Sequence, residues 1–263
     1  MQVIESKNDF QARFSRWTAN DALHLYPFVE NIHAPLKTVR RALPMMNLGL
    51  ISSAGAYIDG AEPFDHASKD GDLACREIPI EVDASDLRFA AKGYDPKAVT
   101  EDRNVQIPID RLLEYEANAV IGSLNSVWWS LSSHIPNAER VATELGSHIA
   151  ERLHRYEVQA ALLIPASRLC HQTLGLVART VEEAGIPTIM ISVDPAMTDK
   201  TRPPRTAYYN GELGSVVGRP NWREYQLRVL DETLRWIETF DQPGSRKLAV
   251  DLETQTEAAR GER

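Results

Sequence analysis

The sequence predicts an α/β protein with two Rossmann-like lobes, each built on a parallel sheet, and a cleft between them. Residues 137–156 carry an apolar residue every fourth position, which is the spacing of a helix with one buried face. Residues 158–164 then form a nearly uninterrupted apolar run, as a central parallel strand requires. A further helix pattern, Gly185 and a β-rich run over 188–193 follow. Such alternation of strands and helices requires crossover connections, so the strands should be parallel.

The same patterns divide the chain into four segments. Residues 1–44 are rich in aromatic and charged side chains and should form an arm of short helices. Residues 45–136 are predicted as the first lobe, which begins with an apolar strand over 47–52. Residues 137–240 are predicted as the second lobe, and residues 241–263 as a polar, frayed C-terminal tail.

The amino-acid composition argues against several classes of partner. The 263 residues include 29 Lys and Arg against 37 Asp and Glu, a net charge of -8. A surface this acidic argues against nucleic acid or an anionic membrane as the main partner. The longest uncharged stretch, 117–138, is too rich in Asn, Ser and Pro to cross a bilayer. With no apolar signal segment at the start, the sequence predicts a cytoplasmic protein with reduced thiols.

Only two cysteines are present, Cys75 and Cys170, and no CxxC pair exists. This argues against a disulfide framework and a thiolate zinc site. We therefore predict no metal and no bound cofactor. A metal held by Cys170 or His171 together with Asp102 remains an open alternative, because thiolate, imidazole and carboxylate groups all bind divalent cations.

Two predicted loops leave strands at the carboxyl edge of a parallel sheet, where ligands bind in such folds. One contains Ser53 and Gly55, whose backbone N–H groups could meet an anion. The other contains Ser167, Cys170 and His171 and leads directly into a helix. In the first turn of a helix the free N–H groups and the helix dipole favour a thiolate, which is a strong nucleophile. The cleft should therefore hold a small-molecule substrate beside Cys170.

Eight segments spread over residues 45–238 resemble the glycine/sarcosine/betaine reductase and D-proline reductase selenoprotein B family. Each is short, but they follow one another in the family's order. The segments are GDLACREIP (71–79), GYD (93–95), DRNV (102–105), PIDRL (108–112), IPASRLCHQT (164–173), EEAGIPT (182–188), RPPR (202–205) and LGSVVGRP (213–220).

The resemblance implies a reductive reaction. In the family a selenocysteine, or sometimes a cysteine, lies three residues before the motif's cysteine and attacks the carbon that bears the leaving amine. The neighbouring cysteine then resolves the adduct. In this sequence serine occupies the selenocysteine position, as Ser167, and a hydroxyl forms neither a selenide nor a disulfide. Family members also work in complexes with a pyruvoyl-bearing subunit, so this chain is predicted as a reductase-complex subunit.

Because serine replaces the selenocysteine, three functions are possible. The first is thiol-dependent reductive cleavage of a small amino-acid- or betaine-like substrate, with Cys170 resolved by an external thiol reductant or by Cys75. The second is a non-redox lyase, desulfurase or hydrolase that acts on a nitrogen- or sulfur-containing compound through Cys170, His171 and carboxylates. The third is a binding subunit that has lost catalysis. Thiol consumption separates the first from the other two.

Some residues of the candidate site are predicted from the pattern of the sequence, and others from the family resemblance. Arg205 follows two prolines, and its guanidinium could hold a substrate carboxylate with two parallel hydrogen bonds. The Asp and Asn residues come from the resemblance and could equally stabilise turns. Apolar helices and the paired Trp128 and Trp129 are compatible with a homo-oligomer. The predicted catalytic residues are Cys170, His171 and Ser167, and the predicted substrate-binding residues are Ser53, Gly55, Asp95, Asp102, Asn104, Gln172 and Arg205.

Overall fold

A computed structural model describes residues 2–18 and 23–250. In those ranges one mostly parallel sheet contains eight strands, and a separate pair forms a small antiparallel ribbon. The strands are β1 (Asn47–Ser52), β2 (Ala56–Ile58), β3 (Cys75–Pro79), β4 (Leu87–Phe89), β5 (Ser123–Leu124), β6 (Val127–Leu131), β7 (Ala160–Ile164), β8 (Thr188–Ser192), β9 (Arg205–Tyr208) and β10 (Gly244–Lys247).

Helices cover both faces of the sheet, and short 3₁₀ turns connect them. The predicted helix over 137–156 is present as two α-helical segments joined by a π-helical turn, Val141–Leu145. The helices are α1 (Lys7–Arg16), α2 (Lys97–Glu101), α3 (Ile109–Ala117), α4 (Ala138–Arg140), α5 (Gly146–Arg155), α6 (Arg168–Glu183), α7 (Pro195–Thr201) and α8 (Arg223–Thr239).

The sheet has the order β10-β9-β8-β7-β1-β6-β3, with β5 paired beside the start of β1. Only β3, at one edge, runs antiparallel to its neighbour. β1 and β7 pair over five residues, from Leu48 opposite Ala160 to Ser52 opposite Ile164. The two predicted lobes are therefore not confirmed, because a strand of each lies in the same sheet. The boundaries at residues 44, 136 and 240 remain a prediction.

Alternating side chains of the central strands build two apolar cores, one on each face, as the period of two in a strand requires. Leu50 and Leu162 pack on the face covered by α3 and α8. Leu163 and Met190 pack on the opposite face, which α5, α6 and the N-terminal arm cover. Trp128 and Trp129 are buried on opposite faces, one in each core, and so present no surface to an oligomer partner.

The terminal segments are tied to this sheet. The arm contains α1, and the rings of Phe10, Phe14 and Tyr26 pack together against the α5 and α6 face. The predicted frayed tail instead begins with β10, which pairs in parallel with β9 from residue 244. Residues 251–263 of that predicted tail lie outside the described residues. In the part of the chain that the structure describes, every helix is too short or too polar to span a bilayer.

Candidate functional site

The carboxyl ends of β1, β6 and β7 meet at one edge of the sheet, and the loops that follow them surround Cys170. α6 begins at Arg168, and Ser167 caps it: its Oγ accepts a hydrogen bond from the Cys170 N–H at 3.2 Å. A serine with extended backbone is well suited to this cap, since its side chain folds back over the first turn. Cys170 accordingly lies in the first turn of α6, as the sequence predicts.

The Cys170 sulfur is surrounded by oxygen atoms and shielded from solvent. Its Sγ lies 3.1 Å from the Ser167 Oγ, 3.3 Å from the Ser133 carbonyl and 3.6 Å from the Ser53 carbonyl. Cys170 is only 1% exposed. A thiol can donate its proton to either carbonyl, whereas a thiolate would face both of them without a proton to offer. The sulfur is therefore partnered rather than packed in hydrocarbon, but it is closed to reagents in this conformation.

The loop after β4 covers the sulfur. Tyr94 packs beside Cys170 with Ala54 and Ala166, and its hydroxyl donates to the Ala54 carbonyl at 2.6 Å. Burial, and next the neighbouring Cys170, raise the pKa of Tyr94, so its hydroxyl stays protonated and remains a donor. Gly93 adopts φ +85°, and a Cβ built there would lie 3.3 Å from the Ser167 Cβ. The backbone at Gly93 thus lies directly over the serine.

A second loop, which follows β9, holds the first one in place. The Gly214 N–H donates to the Ala166 carbonyl at 2.9 Å. Gly214 has φ +79°, and a Cβ there would come within 2.6 Å of the Tyr94 ring and 2.8 Å of the Asp95 carbonyl. A substrate can reach the sulfur only if one of these two loops moves.

His171 is fixed by hydrogen bonds to both ring nitrogens, and neither bond is to Cys170. Its Nδ1 lies 2.8 Å from the Ser167 carbonyl, and its Nε2 accepts the Val193 N–H at 3.3 Å. The Nδ1 atom must therefore carry the proton, and the ring is neutral. Burial lowers the pKa of His171 to about 4. The ring joins α6 to the loop after β8, and no ring nitrogen is left for acid–base chemistry in this conformation.

The backbone N–H groups of Ser53 and Gly55, which were predicted to meet an anion, already donate hydrogen bonds within the chain. The Ser53 N–H donates to the Ile164 carbonyl, and the Gly55 N–H donates to the Leu131 carbonyl. The Ser53 Oγ accepts the Ala166 N–H at 3.3 Å. These bonds extend the β1–β6 and β1–β7 pairing past the strand ends. Ser53 belongs to the Cys170 site through its carbonyl rather than through its N–H.

Asp95, Asp102 and Asn104 stabilise turns and are not in contact with the sulfur. The exposed Asp95 accepts the Lys97 N–H at the start of α2. Asp102 accepts both the N–H and the side-chain amide of Asn104. Burial acts to raise the pKa of Asp102, but hydrogen bonds from the Gln226 amide and from backbone N–H groups outweigh it and lower that pKa. The two residues hold the connection between α2 and α3 against α8.

Gln172 lies one turn into α6 and holds the N-terminal arm. Its Oε1 accepts the Val29 N–H at 2.7 Å, and its Nε2 donates to the Tyr26 hydroxyl at 2.8 Å. The Tyr26 hydroxyl in turn donates to the Pro136 carbonyl. Both the oxygen and the nitrogen of this amide hydrogen-bond to the arm, so Gln172 connects the arm to α6.

Arg205 corrects the sequence prediction, because it lies at the opposite edge of the sheet from Cys170. It is the first residue of β9, whereas Cys170 follows the last residue of β7, and five residues of strand span about 17 Å. Its guanidinium pairs with Glu182 at 2.6 Å, and both side chains are 0% exposed. A second N–H donates to the Lys37 carbonyl at 2.6 Å. The guanidinium is committed to the chain and holds no substrate carboxylate.

Cys75 is not in contact with the Cys170 sulfur, whose partners are Ser167, Ser133 and Ser53. It lies on β3, at the edge of the sheet, opposite Leu131 of β6. Burial, and next the Glu77 carboxylate, raise the pKa of the Cys75 thiol to about 12, so it is not a ready nucleophile.

A cluster that the sequence reasoning missed lies beside Ser133. His66 and His134 stack edge-on with ring centroids 6.2 Å apart, and the Lys92 ammonium donates to the His66 carbonyl. The Ser133 Oγ accepts the Lys92 N–H and donates to the Ala90 carbonyl, so it fastens the loop over Cys170. His66, Lys92 and the Ser133–His134 pair come from three stretches that are distant in sequence, so no local signal could have grouped them. Within the described ranges, no three His, Cys, Asp or Glu side chains are placed to hold a metal ion.

Comparison with known proteins identifies relatives among reductase subunits. Residues 67–166 match the family model described as glycine/sarcosine/betaine reductase selenoprotein B, a match that ends directly before Ser167. D-proline reductase subunit gamma of Acetoanaerobium sticklandii is 28% identical over 199 residues, which cover 76% of this chain and 81% of that protein.

Two further relatives match over shorter segments. Glycine reductase complex component B subunit gamma of Symbiobacterium thermophilum is 28% identical over 174 residues, 63% of this chain and 39% of that protein. Betaine reductase complex component B subunit beta of Peptoclostridium acidaminophilum is 25% identical over 99 residues, 38% of this chain and 22% of that protein. The chain thus spans well under half of these two relatives. No solved structure matches it.

The neutral, buried His171 predicts acid sensitivity. Its folded-state pKa of about 4 lies below the value of 6.5 expected in the unfolded chain, so unfolding takes up a proton between these values. Its contribution to stability is complete above pH 6.5 and falls by about 3 kcal/mol as the pH drops to 4. Urea unfolding across this interval should show a shallower pH dependence for His171→Gln than for the wild type. Parallel curves for the two proteins would rule out a neutral His171.

The buried ion pair predicts a large loss of stability when one partner is removed. Arg205→Met leaves the Glu182 carboxylate buried and unpaired, which should cost about 3–5 kcal/mol of unfolding free energy. The double variant Arg205→Met with Glu182→Met should recover most of that loss. Arg235→Met is the matched control, because Arg235 forms an exposed pair with Asp231 and should change stability by less than about 1 kcal/mol. Equal losses from both single variants in urea unfolding would contradict this assignment.

Proposed function

We propose that the chain is a member of the glycine/sarcosine/betaine reductase selenoprotein B family and a subunit of a thiol-dependent reductase complex. Its substrate is a small amino-acid- or betaine-like compound whose C–N bond is cleaved reductively at Cys170. The observation that carries the proposal is the 3.1 Å separation of the Ser167 Oγ and the Cys170 Sγ at the start of α6. The relatives support the class, since they are named as subunits of D-proline, glycine and betaine reductases.

The two side chains meet for a local physical reason. A residue that caps a helix turns its side chain back towards the residue three positions later, here from Ser167 to Cys170. A nucleophile at the first position and a resolving thiol at the second would therefore be in contact without any further support from the fold. By the resemblance, Ser167 occupies the position of the nucleophile, and Cys170 supplies the one sulfur of this pair.

With one sulfur in the pair, the reducing equivalents must come from elsewhere. Cleaving a C–N bond reductively replaces nitrogen by hydrogen and requires two electrons. Two external thiols supply these electrons by forming one disulfide, and the amine departs with a proton. The Cys170 thiolate would attack the substrate carbon as the C–N bond breaks. The first external thiol would then attack the Cys170 sulfur, so that the C–S bond breaks and the substrate carbon takes up a proton. The second thiol would reduce the resulting mixed disulfide and release Cys170. One disulfide should accordingly be produced for every C–N bond cleaved.

A specific observation favours a second function, a substrate-binding subunit that turns nothing over. The Cys170 sulfur is closed beneath Tyr94 and faces two carbonyl oxygens, and the neighbouring His171 has both ring nitrogens occupied. No general base therefore touches the sulfur in this conformation. Such a subunit would bind the substrate and consume no thiol.

Removing the sulfur tests the proposed reductase directly. With D-proline, glycine and betaine each supplied together with dithiothreitol, the wild type should form cleaved product and oxidised dithiothreitol in equal amounts. Cys170→Ala should abolish both, and the control Cys75→Ser should leave both unchanged because Cys75 is not among the partners of the Cys170 sulfur. Product formed without thiol oxidation would indicate non-redox chemistry. Substrate binding by calorimetry with no product would establish the binding subunit.

Restoring a second sulfur tests the geometry of the pair. The Ser167→Cys variant should form a disulfide with Cys170 under mild oxidation, because the two side-chain atoms already lie 3.1 Å apart. Intact-mass measurement should show the loss of two hydrogens, reversed by dithiothreitol. Ser133→Cys is the matched control, since the Ser133 Oγ is turned to the Ala90 carbonyl instead. Two free thiols in the oxidised Ser167→Cys protein would contradict the arrangement described.

A further inference from the structure

An exposed basic segment crosses the amino edge of the sheet, opposite Cys170. Lys37, Arg40 and Arg41 extend from the connection between the N-terminal arm and β1, and all three are exposed. None of their side chains forms an ion pair with a described residue. Three cations thus lie close together in the chain with no ion-pair partner among the described residues, in a protein whose net charge is -8.

The backbone of this segment is fixed at both ends. Glu182 accepts the Lys37 N–H at 2.5 Å, and Arg205 donates to the Lys37 carbonyl at 2.6 Å, so a fully buried ion pair holds one peptide group from both sides. At the other end the Leu43 N–H donates to Glu238, and the Leu43 carbonyl accepts the Gly122 N–H. The basic side chains therefore project from a rigid support, which lowers the entropy that binding would cost.

A cavity of about 230 Å³ opens beside the segment, between the stretches that precede β1, β7 and β8. Its lining includes the buried apolar side chains of Met46, Val158 and Ile186, and Val39. The basic side chains and His154 border it. The cavity thus combines an apolar floor, large enough for one side chain, with a positively charged rim.

We propose that this cavity docks an acidic segment of a partner protein, with one apolar side chain inserted between flanking carboxylates. The carboxylates would pair with Lys37, Arg40 and Arg41, and the apolar side chain would cover Met46 and Val158. Charge complementarity selects the acidic segment, since three exposed cations border the cavity. A nucleic acid would need a longer basic stripe and would leave the apolar floor unused. The proposal is independent of the chemistry at Cys170, which lies at the other edge of the sheet.

A labelled peptide with the sequence Glu-Glu-Leu-Glu-Glu provides the probe, and fluorescence anisotropy of the full chain provides the measurement. Binding should weaken steeply as salt is raised, because the rim is exposed. Replacing the peptide's Leu by Ser should weaken binding about tenfold, since burial of one Leu is worth that much or more. A peptide with Gln in place of all four Glu should not bind measurably.

Variants of the chain then locate the site. Lys37→Gln, Arg40→Gln and Arg41→Gln combined should weaken binding of the Leu peptide at least about tenfold at low salt. The matched control combines Arg16→Gln, Lys69→Gln and Lys97→Gln, which removes the same charge from other surfaces and should change affinity by less than about twofold. Circular dichroism verifies that both triple variants are folded.

Three results would overturn the proposal. Equal losses in the two triple variants would mean that only net charge attracts the peptide. Equal binding of the Leu and Ser peptides would remove the apolar floor from the interaction. Displacement of the peptide by inorganic phosphate or by oligo-dT at the concentration at which unlabelled peptide displaces it would identify a phosphate or nucleic-acid site instead. None of these outcomes depends on reductase activity, and a failed reductase assay would leave them unchanged.

Discussion

The parallel pairing of β1 with β7 is the constraint on which the candidate site depends. Five residues of each strand lie in register, and the Ser53 N–H extends the ladder to the Ile164 carbonyl. This pairing brings the loop after β1 beside the loop after β7, so the Ser53 carbonyl comes within 3.6 Å of the Cys170 sulfur. A shift of one residue would turn the buried faces of both strands to the wrong side, so register and site are specified together.

The polar groups around Cys170 form hydrogen bonds with one another, and these bonds hold the site closed. Ser167 caps α6 and contacts the sulfur, and Ser133 contributes a carbonyl to the sulfur and a hydroxyl to the loop above it. Buried polar atoms are expensive unless they are hydrogen-bonded, and here each has a partner. The cover is held by the bonds from Tyr94 to Ala54 and from Gly214 to Ala166, together with those that Ser133 forms with Lys92 and Ala90.

Local patterns predicted the elements that carry the site, and long-range contacts decided the rest. The strands over 158–164 and 188–193 and the start of α6 follow from apolar runs and a capping serine. The single sheet could not be read in this way, because the pairing of β1 with β7 joins residues more than a hundred positions apart. Arg205 was misassigned for the same reason. Its two prolines are visible in the sequence, but its partnership with Glu182 is created by the fold.

α6 runs from the carboxyl edge of the sheet to the amino edge, where the buried ion pair of Arg205 and Glu182 holds its last turn. The helix has 16 residues and is about 24 Å long, with Cys170 in its first turn and Glu182 in its last. Ser167 fixes one end by capping it, while Arg205 fixes the other through Glu182. The same pair holds the Lys37 peptide group, so the basic segment and the helix that carries the sulfur share one anchor. Arg205, which the sequence showed only as a guanidinium after two prolines, therefore fixes the end of the helix that carries the sulfur at its start.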